Sequence, residues 1–354
     1  MIVRLRMAQL PAVFLLTAVS LAVAQPASAR NQSVLRCWQK LDPQTFVEVG
    51  HVQRNAEQFA RRQKAINTTG RPAALLLSYG SQRTAFSAGL VVGWGETGYR
   101  PLFDLVTAVG PSAVLAPFAF VGGVGDQAIA DMYNCKARNW NDYVRIALQH
   151  LDERMLERIG QAHRNGRRLM IALKGSAARP QTVWDIGKIA ASRHPGALQQ
   201  VRSIIAASVD LTTRVSVPGI PVKAGQFSQR NHTFRVVGAG LPLLFKPDLV
   251  GRISNWYVVH NSVLFDDEVA GYAGKRRSGA IKSFTSKNIF LRPVFDVADH
   301  VRRTGAKFRI AVIQPRRWFY PATEFDQTFM QDIFRRAYRY ARMGRLWQSE
   351  PIKR

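Results

Sequence analysis

The sequence predicts an α/β fold, a mostly parallel β-sheet covered by helices on both faces. Three observations carry that expectation. Short apolar runs at 73–77 (AALLL), 102–109 (LFDLVTAV) and 168–173 (RLMIAL) read as buried strands, without in–out alternation because both faces of such a sheet are covered. Segments of helical length and spacing lie between the runs, which favours parallel strands joined by crossover helices. Hydrophobic residues make up 47% of the 354 and charged residues 21%, a balance that suits one large core rather than a disordered chain.

In chain order, Arg4 and Arg6 form a basic start and an apolar run follows from Pro11 to Ala24. The small-residue triplets Ala22-Val23-Ala24 and Ala27-Ser28-Ala29 then offer cleavage sites. This is the pattern of an export signal over residues 1–29, cut after Ala29 or Ala24, and it implies a periplasmic or secreted protein. The run is short for a membrane span. Residues 30–72 form a polar, basic segment, with a helix expected over 52–66 and a turn at Thr68 to Pro72.

The first strand, 73–77, is followed by a helix over 84–96 that stops at Gly98. The second strand, 102–109, leads into a helix over 111–120, where Pro111 suits a first turn because its missing amide hydrogen is not needed there. A long amphipathic helical region is expected over 142–165, with Asn165-Gly166 as its stop. After the strand at 168–173 come helices at 182–191 and 195–207, then strands at 233–237, 255–260 and 307–313. A basic helix at 328–343 ends at Gly344. No repeat or linker divides residues 73–354, so one domain is expected.

Composition also bounds function. The net charge of +27 favours anionic partners, above all phospholipid headgroups for an exported chain. Helix 328–343 carries Arg335, Arg336, Arg339 and Arg342 with Phe334, Tyr338 and Tyr340 between them, which suits a face lying on anionic lipid as well as an ordinary solvated face. No zinc-finger spacing, basic zipper or ribonucleoprotein motif is present, so nucleic acid is not expected as a partner. The seven histidines are scattered, with no H-E-x-x-H motif and no Cys/His cluster, so neither a metal site nor a cofactor is expected. In an oxidising compartment Cys37 and Cys135 either form one disulfide, closing a loop of about 98 residues worth ~4–5 kcal/mol, or remain two thiols.

The segment Phe103 to Phe120 (FDLVTAVGPSAVLAPFAF) has the strand–turn–helix layout of a nucleophile elbow, in which G-x-S-x-G normally presents a serine. Around it stand Leu77-Ser78-Tyr79-Gly80-Ser81-Gln82-Arg83-Thr84-Ala85-Phe86-Ser87-Ala88-Gly89, then Gly93-Trp94 and Arg100-Pro101 with Phe103-Asp104. Farther on come Val183-Trp184-Asp185-Ile186-Gly187, Phe325-Asp326, Met330 and Gly344-Arg345-Leu346-Trp347. In these segments, taken in this order, the chain resembles the patatin-like phospholipase family and its exported bacterial members, from about Ala73 onward. The resemblance implies a three-layer α/β/α sandwich and lipid acyl hydrolysis by a Ser/Asp dyad, with backbone amides of a glycine-rich loop stabilising the oxyanion.

Each catalytic part departs from the family pattern. Gly110 falls where the serine belongs, between the small positions Ala108 and Ser112. Val237, in Arg235-Val236-Val237-Gly238-Ala239, falls where the family has the aspartate of its D-G-G turn, and valine cannot accept a proton. In the oxyanion loop Tyr79, Ser81 and Thr84 replace glycines, while Gly80 remains and Arg83 is kept as a group able to pair with phosphate or carboxylate. The resulting expectation is an exported pseudoenzyme that binds lipid or an unidentified protein partner. The alternatives are an active esterase with a relocated serine, Ser112, served by a carboxylate such as Asp248, and a basic surface protein that binds anionic lipid. Asp210 and His232 are further loose candidates for the base.

Overall fold

The apolar runs become strands because each can bury both faces. The computed structural model describes residues 71–173, 181–213, 233–236, 243–245, 247–249, 251–262, 293–313 and 321–349. Within them β1 (Ala73–Leu77), β2 (Leu105–Val109), β3 (Arg168–Ala172), β4 (Gln181–Asp185), β5 (Thr233–Val236), β6 (Asn255–His260) and β7 (Lys307–Val312) form one sheet in the order β5-β4-β3-β2-β1-β6-β7. All ladders from β3 through β2, β1 and β6 to β7 are parallel. Only β4 runs against its neighbours. Every residue of β1 and β2 is buried, as the centre of a doubly covered sheet requires.

Between the strands lie α1 (Thr84–Glu96), α2 (Ala116–Val121), α3 (Val124–Asn134), α4 (Trp140–His150), α5 (Glu153–Arg164), α6 (Ile186–Ala191) and α7 (Ala197–Thr213). They are followed by α8 (residues 293–304) and α9 (Gln327–Arg342). Helices cover both faces of the sheet. On one face Trp94 of α1 packs on Tyr257 of β6, with Phe103 and Trp347 completing an aromatic cluster. On the other, Val294, Val297 and Val301 of α8 join Leu76, Leu105, Trp256 and Val258.

Helix α1 is apolar nearly all round because it is enclosed between the sheet and α9. Its glycines set how close α9 comes. A Cβ on Gly89 would stand 2.9 Å from the Phe334 carbonyl carbon, and one on Gly93 2.9 Å from that of Tyr338, so the two backbones touch at these positions. A buried bidentate ion pair supports the same helix. Arg100 donates to Asp126 at 2.8 and 2.9 Å and to the Val91 carbonyl at 2.6 Å. Burial pushes the Asp126 carboxyl up, and the Arg100 guanidinium opposes that.

Three element expectations need correction. Residues 181–185, expected to be helical from 182 onward, form β4 because Thr182, Val183 and Trp184 are β-branched or aromatic and pair with β3 and β5. Helix α6 begins only after Asp185, whose side chain caps it by accepting from Lys188 N at 2.8 Å. The single helical region expected over 142–165 is two helices, because Asp152 caps a new start by accepting from Met155 N at 2.8 Å. The helix expected over 111–120 is a 3₁₀ turn, Gly110–Val114, followed by α2. Helices α3 and α8 were not anticipated. Residues 1–70, which hold the expected export signal, the helix expected over 52–66 and Cys37, lie outside the described residues, while Cys135 is buried at the end of α3. Among the described residues no helix is long and apolar enough to cross a membrane, and no cluster of three or more metal-ligating side chains occurs.

Candidate functional site

β1 is the topological switch point of the sheet, since β2 leaves to one side of it and β6 to the other. Crevices outside the carboxyl ends of such strands are where α/β proteins bind ligands. A pocket of about 280 Å³ lies there, lined by the loop from Tyr79 to Arg83 and by Asn261, Ser262 and Pro321. The resemblance places its oxyanion loop in this segment and its nucleophile at the end of β2.

The end of β2 has elbow geometry. Val109 is extended, Gly110 takes φ +60° as the first residue of the 3₁₀ turn and Pro111 is its second. Only glycine adopts that left-handed conformation without cost. The space beyond its Cα is already filled. A Cβ on Gly110 would overlap the edge of the Tyr79 ring, at 2.8 Å from Cε2. Tyr79, half-buried, also packs on the apolar cluster that includes Val109. Gly110 and Tyr79 thus interlock: one has no side chain, and the other fills the volume.

Ser112, the fallback nucleophile, has no accessible surface. Its hydroxyl donates to the Ser78 carbonyl at 2.5 Å and accepts from Asn261 Nδ2 at 3.2 Å. Asp248 is exposed on the 3₁₀ turn Pro247–Leu249 and is not among the hydrogen-bond partners of Ser112. Val237 and His232 lie outside the described residues, as does the side chain of Asp210, a residue of α7. Only Tyr79, Gly80, Ser81 and Arg83 of the predicted site residues line the pocket, with Gly110 against the Tyr79 ring and Thr84 opening α1 behind them.

The loop is rigidly tied. Thr84 Oγ1 donates to the Ser81 carbonyl at 2.6 Å and Arg83 N to the Gly80 carbonyl at 2.8 Å. Ser81 keeps φ +47°, so a non-glycine residue holds a glycine-like backbone here at a cost of about 1–2 kcal/mol. Gln82 is buried and crosses to the α9 approach, donating to the Thr323 carbonyl at 2.7 Å and accepting from Asp326 N at 2.6 Å.

Sequence reasoning missed Asn261, the centre of the site. It follows β6 directly, is 1% exposed, and satisfies itself four ways. Its backbone N donates to Ser78 Oγ at 2.8 Å, and its Nδ2 donates to the Ser78 carbonyl at 2.8 Å and to Ser112 Oγ. Its Oδ1 accepts from Ser87 Oγ at 2.6 Å. Gly80 is needed beside it, because a Cβ there would stand 3.0 Å from Asn261 Cγ. The available signal was a polar pair, His260-Asn261, closing an apolar strand at the ligand-binding end of the sheet. His260 is also buried, burial lowers it to about 4, and it does not line the pocket. Among the described residues that line the pocket there is no carboxylate and no imidazole.

Other motif residues have structural tasks. Asp104 accepts from Ala73 N at 2.8 Å, Asp326 caps α9 through Phe329 N at 2.9 Å, and Trp347 belongs to the aromatic cluster. Compared with protein-family models, with curated proteins and with solved structures, the chain matches none of them.

Proposed function

We propose that this chain is an exported homologue of the patatin-like lipid acyl hydrolases in which the ester-cleaving site has been closed, leaving a protein that binds rather than turns over. One observation carries the reading. At the turn where an elbow serine would stand, Gly110 bears no nucleophile, and the Tyr79 ring fills the volume that any side chain there would need. Attack on an ester carbonyl requires a nucleophile within hydrogen-bond reach of a base and open to substrate. Gly110 has no such atom, and the hydroxyl of Ser112 is enclosed by the carbonyl of Ser78 and the amide of Asn261. Two further features support it: Val237 at the family's base position in the sequence, and Ser81 and Thr84 at glycine positions of the loop.

The test is hydrolysis by the purified chain of p-nitrophenyl butyrate and of a phosphatidylglycerol vesicle. The reading expects rates equal to those of the heat-denatured protein. Turnover that co-purifies with the chain and is abolished by Ser112→Ala would replace this reading with that of a hydrolase using a relocated serine.

A further inference from the structure

The end of the molecule opposite the pocket carries a second surface. The parallel strands begin there, and several chain segments meet at their starts. Ser254 N and Asn255 N both donate to the Pro72 carbonyl, and Lys307 N donates to that of Ser254. Arg252 reaches the Thr304 carbonyl at the end of α8. Arg71, Arg252, Arg303 and Lys307 are all exposed along this line. Helices α1 and α9 finish at the same end, where Arg342 Nε stands 3.4 Å from Glu96, and Arg342 and Arg345 are exposed beyond it.

Apolar side chains stand out of this basic surface. Of the four large hydrophobic residues exposed among the described residues, three sit around the end of α1. Tyr99, 72% exposed, lies three residues past Glu96. Met343, 61% exposed, adjoins Arg342. Val124, 52% exposed, is two residues before Asp126, whose pairing with Arg100 ties the start of α3 to the same end. Among the described residues, Glu96 is engaged by Tyr338 and Arg342, Asp104 by Ala73 N and Asp126 by Arg100, while the exposed Asp299 of α8 is paired with Arg302.

We infer that this end, with Tyr99, Val124 and Met343 at its tip and Arg71, Arg252, Arg303, Lys307, Arg342 and Arg345 around it, docks on an anionic lipid surface and leaves the pocket facing away from the bilayer. Charge complementarity selects an anionic partner. The protruding tyrosine, valine and methionine select lipid over a nucleic acid, since they suit the headgroup–acyl boundary and have no counterpart on a phosphate backbone. The tip is a handful of residues, so binding is reversible and depends on salt.

The test is co-sedimentation of the full chain with vesicles of phosphatidylcholine alone and of an equimolar mixture with phosphatidylglycerol, across a salt series, with duplex DNA as a competitor. Each basic residue near the surface contributes about fivefold to partitioning. The pair Arg345→Gln/Lys307→Gln is therefore expected to lower binding to mixed vesicles by roughly 30-fold. The control pair Lys136→Gln/Arg138→Gln removes the same charge from the pocket end, where Gln327 at the start of α9 holds Ala137 N and the Cys135 carbonyl, and should leave binding within about twofold. Tyr99→Gln/Met343→Gln should reduce binding at unchanged net charge by ~10-fold or more. Circular dichroism and melting confirm that each variant is folded. Equal losses from the two basic pairs would mean that net charge alone drives adsorption, and would overturn the proposal. So would equal binding to neutral vesicles, absence of binding to mixed vesicles, or a preference for DNA that the Tyr99→Gln/Met343→Gln pair leaves intact.

Discussion

Placing a serine at residue 110 should loosen the elbow rather than arm it. Gly110 has φ +60°, where an L-residue costs about 1–2 kcal/mol. Its new Cβ would also overlap the Tyr79 ring, and overpacking of this kind costs about 1–3 kcal/mol. Gly110→Ser is therefore expected to destabilise by ~2–5 kcal/mol, a fall in Tm of roughly 5–15 °C for a domain of this size. Tyr79→Gly removes the ring and opens the slot. In that background Gly110→Ser should cost only the backbone share, leaving a coupling energy of ~1–3 kcal/mol between the two positions in urea unfolding of the four proteins of the cycle. The sign matters as much as the size: the double variant must be more stable than the sum of the single effects. Additivity within about 0.5 kcal/mol would show that the ring does not occupy the nucleophile's space, and would refute the interlock.

Ser112→Ala should leave any basal ester hydrolysis unchanged and lower stability by ~1–2 kcal/mol, because Asn261 Nδ2 loses one acceptor in a buried site; denaturant midpoints and esterase rates read the two effects separately. Gly93→Ala should cost about 3 kcal/mol or more in the same unfolding assay, since its Cβ meets backbone of α9 rather than a movable side chain, whereas Gly305→Ala, with nothing near its Cβ, should cost only the strain of its positive φ. For His260, burial lowers the folded-state value from 6.5 to about 4, so above pH 6.5 both states are neutral and no stability depends on it. As pH falls from 6.5 to 4 the unfolded chain binds a proton that the folded one refuses, and about 3 kcal/mol is lost. Asp131 works the other way over much of that window, because burial raises it to about 7 and the folded state takes up the proton first. The difference in urea stability between wild type and His260→Leu, compared at pH 7 and pH 4, therefore isolates the histidine; a difference that does not move with pH would contradict its burial in the neutral form.

The central strands were legible because burial on both faces removes the alternation that usually blurs short strands, so AALLL and RLMIAL stand out by composition alone. α9 was legible from its basic and aromatic interleaving, and its observed limits, Gln327–Arg342, differ by one residue at each end from those expected. β4 was misread because Thr182-Val183-Trp184 runs without a break into a helical segment, and what separates them is a side-chain cap on Asp185 together with pairing to β3. The turn after β2 was legible from Gly110-Pro111. Its closure was not, because nothing in one dimension places Tyr79, thirty-one residues earlier, over Gly110. Asn261 escaped for the same reason: the three residues it binds, Ser78, Ser87 and Ser112, come from segments up to 183 residues away.

The most direct test of the proposed closure is the intact mass of the purified chain after exposure to a fluorophosphonate, which forms an adduct with any activated serine. A mass unchanged from that of the untreated protein is the predicted result. A single stoichiometric adduct, localised by peptide mapping to Ser112 or to any other serine, would contradict it.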